Sequence, residues 1–158
     1  MKKIIFLIFS ITIGYSSAAF ADGSCDSVLR EEMSAWQSKT GFFKIRGTNL
    51  IGESLTAREN AMTLFKETID EMDLEQCSAD ILDDIWVLKY HLNNYFAAND
   101  EMLKMKGEIE EVDEISDLEQ GTKEKYRTLF TERAVAQGTF VATLSSVFSQ
   151  LDIRLEFE

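Results

Sequence analysis

The chain has 158 residues, with 28 Asp and Glu against 16 Lys and Arg, and a formal charge of −12. That balance argues against nucleic acid and anionic lipid as partners, because both need a basic face, and it suits a basic protein or a cation better. Acidity also serves plain solubility, so composition bounds the class, a secreted and mostly helical domain, without naming an activity.

Residues 1–21 have the three parts of a secretory signal: Lys2 and Lys3, the apolar run from Ile4 to Ile13, and the small-x-small site Ala19-Phe20-Ala21. Cleavage after Ala21 is expected. The apolar run, about ten residues, is too short to span a bilayer, which takes roughly twenty, so no stable membrane anchor is expected. Asp22 stands where a lipid-attachment signal takes a branched apolar residue, which argues against lipidation of Cys25. A signal of this type points to a bacterial periplasm or the exterior. Loss of Lys2 and Lys3 leaves residues 22–158 as one domain and takes the charge from −12 to −14.

Cys25 and Cys77 are the only cysteines. In an oxidising compartment they are expected to form a disulfide. Two cysteines and the lone His91 are too few ligands for zinc, and no metal or other cofactor is expected.

The first helical pattern runs from Ser24 or Asp26 to about Lys39, with Val28, Leu29, Met33 and Trp36 on one side, and Gly41 ends it. Residues 41–52 read as a glycine-rich connection that tucks hydrophobes inward, with a short strand through Phe43 and Ile45 as an option. Thr56-Ala57-Arg58-Glu59 matches a capping box and predicts a second helix from there to about Met72.

Ser78 or Asp80 can cap a third helix, whose pattern spans Cys77 to Lys106. Ile81, Ile85, Leu88, Leu92, Tyr95 and Met102 share its apolar face, with Leu82, Trp86, Phe96 and Leu103 beside them. Between Ile85 and Asn99 the only full charge is Lys89. The helix either ends at Gly107 or continues through Ile109, Val112, Ile115 and Leu118. Gly121 closes that acidic stretch, Thr122 can cap, and a last long helix carries Tyr126, Leu129, Phe130, Phe140, Leu144, Val147 and Phe148. The tail from Leu151 alternates apolar and charged residues, a strand pattern that must dock or fray.

Four helical patterns with short connections predict an all-α, antiparallel four-helix bundle with one disulfide, and a short C-terminal strand as an option. An up-down-up order brings Cys25 and Cys77 to one end. Eight acids between Glu67 and Leu88, with no lysine or arginine, fall at that end. A second acidic block, Glu108 to Glu119, falls at the other, where Lys39, Lys44 and Arg46 are expected to fold against it. The second block has the length of a calcium loop but no glycine at its sixth place and a helical apolar spacing, which argues against calcium.

No H-E-x-x-H, G-x-S-x-G, S-x-x-K or phosphate-loop motif is present, and one histidine identifies no catalytic site, so no enzymatic activity is expected. The leading expectation is a periplasmic, non-enzymatic interaction protein: an inhibitor, an immunity-type protein or an accessory subunit. Its partner is a protein, with a basic one favoured. The candidate surface is the charge-poor outer side of the third helix, Val87, Tyr90, Asn94, Ala98 and Met105, together with Asp73, Asp80, Asp83 and Asp84 at the disulfide end. Homodimerisation through that surface is a further expectation. The alternative is a small-ligand or sensory bundle, with Tyr90, His91, Asn94 and Tyr95 lining a pocket.

Overall fold

The computed structural model describes residues 24–45, 53–105 and 119–157. The signal segment, Arg46, the Gly107 helix end and the acidic stretch up to Leu118 lie outside the described residues. Helix α1 spans Cys25–Thr40. The Ser24 hydroxyl accepts the Ser27 N–H at its start, Asp26 sits in its first turn and Lys39 in its last, each matching the sign of the local helix dipole. Gly41 takes the left-handed conformation (φ 59°) that stops it, and its N–H bonds the Gln37 carbonyl at 2.9 Å.

The chain then makes a 3-10 turn, Phe42–Lys44, where a strand through Phe43 and Ile45 was one reading. The left-handed glycine throws Phe42 straight back into the core against Trp36 and Phe140, and an extended segment would carry it past them.

Helix α2 spans Glu53–Glu71. It starts before Thr56, so the expected capping box lies within the helix. Glu59 serves tertiary structure instead: its carboxylate accepts the Tyr95 hydroxyl at 3.1 Å. Helix α3 spans Ala79–Lys104. Ser78 is its N-cap residue but makes no side-chain cap, and the Ser78 N–H is taken by the Asp26 carboxylate at 3.1 Å, which ties the start of α3 to the start of α1. Helix α4 spans Gln120–Gln150 and contains Gly121 in its first turn. An interior glycine costs only about 1 kcal/mol, which a long helix packed along its length absorbs.

The helices run alternately up and down, as expected of an antiparallel bundle. Trp36 near the end of α1 donates its indole N–H to the Ala61 carbonyl midway along α2 at 2.9 Å, and Lys89 in α3 pairs with Asp70 at the end of α2 at 2.8 Å. Helices α3 and α4 form the most extensive contact. Asp84 accepts from Ser146 and Gln150 at one end of it, and Asn99 accepts from Arg133 further along. The Cys25–Cys77 disulfide closes the lower end, with Cα atoms 4.7 Å apart.

The core is a ladder of apolar residues from all four described helices, among them Leu29, Met33, Phe65, Ile69, Leu88, Leu92, Leu144 and Val147. Trp36 stands at its centre, edge-on to both Phe65 and Phe148 at centroid distances of 5.3 and 6.3 Å, the geometry aromatic quadrupoles favour.

Helix α4 ends in a Schellman motif: the Ile153 N–H bonds the Phe148 carbonyl at 2.8 Å, the Asp152 N–H bonds the Ser149 carbonyl at 3.2 Å, and Asp152 takes the left-handed conformation at φ 54°. The reversal lays the tail back along α1. Among the described residues there is no strand, and the alternating tail docks on a side chain instead of a second strand. The Gln37 amide donates to the Arg154 carbonyl at 3.0 Å and accepts the Glu156 N–H at 3.2 Å, while Leu151 and Ile153 are buried. Lys44, expected to meet the second acidic block, pairs with Glu156 at 3.2 Å.

Candidate interaction surface

A hydrophobic stripe on a helix is set by its period, but which flank stays wet depends on where the neighbours lie. Stepping by four residues on a helix of 3.6 residues per turn rotates the stripe by about 40° each time. From Tyr90 through Asn94 to Ala98 that drift carries the outer row of α3 out of solvent and into the contact with α4. Tyr90 is 51 % exposed and Asn94 is exposed, whereas Ala98 is buried. Val87 and Met105 fall on the same flank as Ala98: Val87 is half-buried and Met105 is buried. Ala98 and Met105 are therefore corrected from surface to interior.

The exposed face has a different membership. Trp86, expected beside the core, is 67 % exposed and stacks on Tyr90 with ring planes 11° apart and centroids 5.8 Å apart. Tyr90 in turn meets the edge of His91 at 5.2 Å. Leu103, also expected inward, is exposed too, but it lies about 140° round α3 from Tyr90 and does not belong to this face. Across from Trp86 and Tyr90, α4 presents Val135, 59 % exposed, followed by the exposed Gly138 and Ala142. Between the two helices runs an open groove of about 620 Å3, lined by Tyr90, His91, Asn94, Ala97, Ala98 and Glu101 from α3 and by Leu129, Thr131, Glu132, Val135 and Ala136 from α4. Ala98 and Ala136 are small enough to let the two helix backbones approach, and they form the groove's buried floor.

The groove collects three of the four residues expected to line a ligand pocket. Tyr95 is the exception: it points into the core, fully buried, with its hydroxyl on Glu59. Burial and then the Glu59 charge push its ionisation well above the ordinary tyrosine value, so it stays a neutral donor. Beneath the upper part of the α3–α4 contact, the buried Arg133 donates to Asn99 Oδ1 at 2.8 Å and lies 5.9 Å from the Phe130 ring centre. Its planar guanidinium satisfies the amide and an aromatic face at once.

The acids expected at the disulfide end separate into three roles. Asp84 is spent within the fold, accepting Ser146 Oγ at 3.1 Å and Gln150 Nε2 at 2.9 Å. Asp73 lies in another hollow, between α1 and α2, with Glu32 and Glu71. Asp80 and Asp83 are exposed near the start of α3, and Asp83 shares the outward side of the helix with Trp86 and Tyr90. At the opposite end of the face, Lys125 of α4 lies 3.6 Å from Glu101, which also takes Lys104 at 2.7 Å. Those ammonium groups hold the Glu101 carboxyl below its ordinary range, Lys104 first.

Among the described residues no group of three or more His, Cys, Asp or Glu is placed to hold a metal ion, and no helix is long and apolar enough to cross a membrane. Compared with protein-family models, curated proteins and solved structures, the chain matches none. The contributions of Trp86 and Val135 are absent from a reading that ranks hydrophobes inward. One signal does point to them: α4 carries no charged residue between Arg133 and Asp152, the counterpart of the charge-poor run in α3.

Proposed function

We propose that the protein is an exported, non-enzymatic interaction domain that binds a protein partner through the α3–α4 face. The observation that carries this reading is the pairing of a stacked, exposed Trp86–Tyr90 with an uncharged flank of α4, in a chain whose formal charge is −12. Exposed aromatics beside a groove are the residues that anchor protein interfaces, and the groove's charges, Glu101 and Glu132, stand at one end of it, so its uncharged part around Tyr90, Asn94 and Ala97 loses little on desolvation. Asp80 and Asp83 give the face one acidic rim, so the partner it fits presents basic residues there and apolar ones over Tyr90 and Val135.

Two substitutions at exposed positions test the reading, Ala97→Glu and Val135→Glu. Both add a charge to the face without touching the core. Tagged wild-type protein captures a partner from the native extract at moderate salt, and the two variants lose it while keeping the wild-type helical spectrum. Capture unchanged in both variants removes this face from the interaction.

The groove supports a second reading, a small-ligand or sensory bundle with Tyr90, His91 and Asn94 as its polar contacts. A metabolite that raises the melting temperature of the wild type but not of Tyr90→Ala favours it.

A further inference from the structure

We propose that the partner segment seated on the α3–α4 face is an amphipathic α-helix of about five turns, apolar along its middle and carrying lysine or arginine at both ends. The inference rests on the reading that this face is an interface, and it gives the occupant its chemistry. The placement of charge and the shape of the groove carry it.

Asp80 and Asp83 are exposed at the disulfide end, Glu132 is exposed on the groove wall at the far end, and none of the three makes an ion pair. The two lysines of the far end are already taken: Lys104 by Asp100 at 2.9 Å and Glu101 at 2.7 Å, Lys125 by Glu101 at 3.6 Å. Asp100, Glu101 and Glu132 outnumber those lysines, so both ends of the face attract cations. Between the ends the face is uncharged, with Trp86, Tyr90 and Ala97 on α3 and Val135 on α4, while Lys89 is turned to Asp70 of α2. The contacts of Asp84 with Ser146 and of Asn99 with Arg133 set the level of α4 against α3 and bring Glu132 beside residue 100. Asp83 and Glu132 are thus about 17 residues of helical rise apart, roughly 25 Å. A five-turn helix, about 27 Å long, reaches from one acidic end to the other with a cation in its first turn and another in its last.

The groove suits a helix and not an extended strand. Among the described residues there is no strand whose edge could pair with an incoming backbone, and the uncharged polar side chains of the groove are those of Tyr90, His91, Asn94 and Thr131. An extended segment seated there would lose the hydration of its N–H and C=O groups without regaining a ladder, whereas a helix satisfies them internally. The groove runs between two helices and its floor is made of the small residues Ala98 and Ala136, so the side-chain ridge of a third helix can enter it. Apolar residues of that helix at i, i+3, i+4 and i+7 fall over Tyr90 and Val135. The same helix covers the exposed Trp86, which makes this residue a reporter of docking because the other tryptophan, Trp36, is already buried.

A synthetic peptide of about 18 residues tests the proposal: alanine and leucine with the leucines on one helical face, and lysines in the first and last turns. Tryptophan emission of the intact protein reads its binding, and Trp86→Phe identifies the reporter. The lysine peptide is expected to shift the Trp86 emission to the blue in a saturable way. Glutamates in place of its lysines, or a proline at its centre, weaken binding by roughly tenfold or more. Val135→Glu does the same from the protein's side, with an unchanged helical spectrum. Asp83→Lys together with Glu132→Lys reverses the preference, so that the glutamate peptide binds the better, a change that a loss of folding would not produce. No saturable shift up to about 500 µM lysine peptide overturns the proposal, as does an affinity indifferent to Val135→Glu or a charge-reversed protein that still prefers lysine. A protein captured from the native extract through Ala97 and Val135, by a chain that does not bind the lysine peptide, sinks the basic helix and leaves the interaction reading standing. Capture indifferent to both of those substitutions removes the interaction reading and this proposal with it.

Discussion

Gln37 is the uncharged polar side chain that the described fold buries, at 2 % exposure, and both ends of its amide are used. An irregular tail docked on a helix has no ladder partner, so its backbone groups need side chains or water. Gln37 supplies one acceptor and one donor to the tail at Glu156 and Arg154. Gln37→Leu keeps the bulk but leaves both tail groups without those bonds, at a cost of about 1–2 kcal/mol. The expected result is a lower urea midpoint together with loss of hydrogen-exchange protection at the Glu156 amide. A protected Glu156 amide in the variant would show that Ile153 and Leu155 alone hold the tail. Sequence alternation at residues 151–157 announced an element that must dock, but it carried no information about a glutamine far away in the chain, because a side-chain amide imitating a strand leaves no periodic trace.

At the scale of elements, the four helices and their order were legible because each has an apolar period, and because Cys25 and Cys77 tie the starts of α1 and α3 together. Helix starts were less so. Thr56 and Glu59 fit a capping box, yet α2 begins at Glu53, and a local pattern cannot show that Tyr95 of a distant helix claims Glu59. The interaction face was half legible for a similar reason. Tyr90 and Asn94 came from charge depletion in α3, whereas the fates of Trp86, Ala98 and Met105 depended on which flank α4 covers. The α2–α3 contact offers a test through pH. Asp70 accepts Lys66 Nζ at 2.6 Å and Lys89 Nζ at 2.8 Å, and these lysines hold its carboxyl below the ordinary value of 3.8. A folded value below the unfolded one means stability that is present above about pH 4 and lost as pH falls through the folded value. Asp70 is too exposed for this to exceed about 1 kcal/mol. Unfolding at pH 7 and pH 3 should show Asp70→Asn less stable than wild type at pH 7, with the gap shrinking at pH 3. A gap that stays constant assigns the effect to packing rather than to the ion pairs.

Over the whole molecule, one covalent bond opposes a concentration of like charge. Between Glu67 and Leu88 the chain has eight acids and no base, and Asp26 of α1 joins them at the disulfide end. Lys66 and Lys89 neutralise Asp70, while Asp80 and Asp83 face solvent. The Cys25–Cys77 bond holds α1 and α3 together at that end across a sequence separation of 52. In the chain-entropy model a loop of that length is worth on the order of 4 kcal/mol. Cys25→Ser with Cys77→Ser is expected to lower the unfolding free energy by about that amount. The variant should also become more salt-dependent than wild type, because repulsion among these acids resists closure of the loop in the absence of the bond, and added salt screens it. Denaturant unfolding at low and high ionic strength reads both effects. A loss of only about 1 kcal/mol with equal salt response in the two proteins would mean that the Asp26–Ser78 bond and the core around Leu29 and Ile81 hold this end closed by themselves.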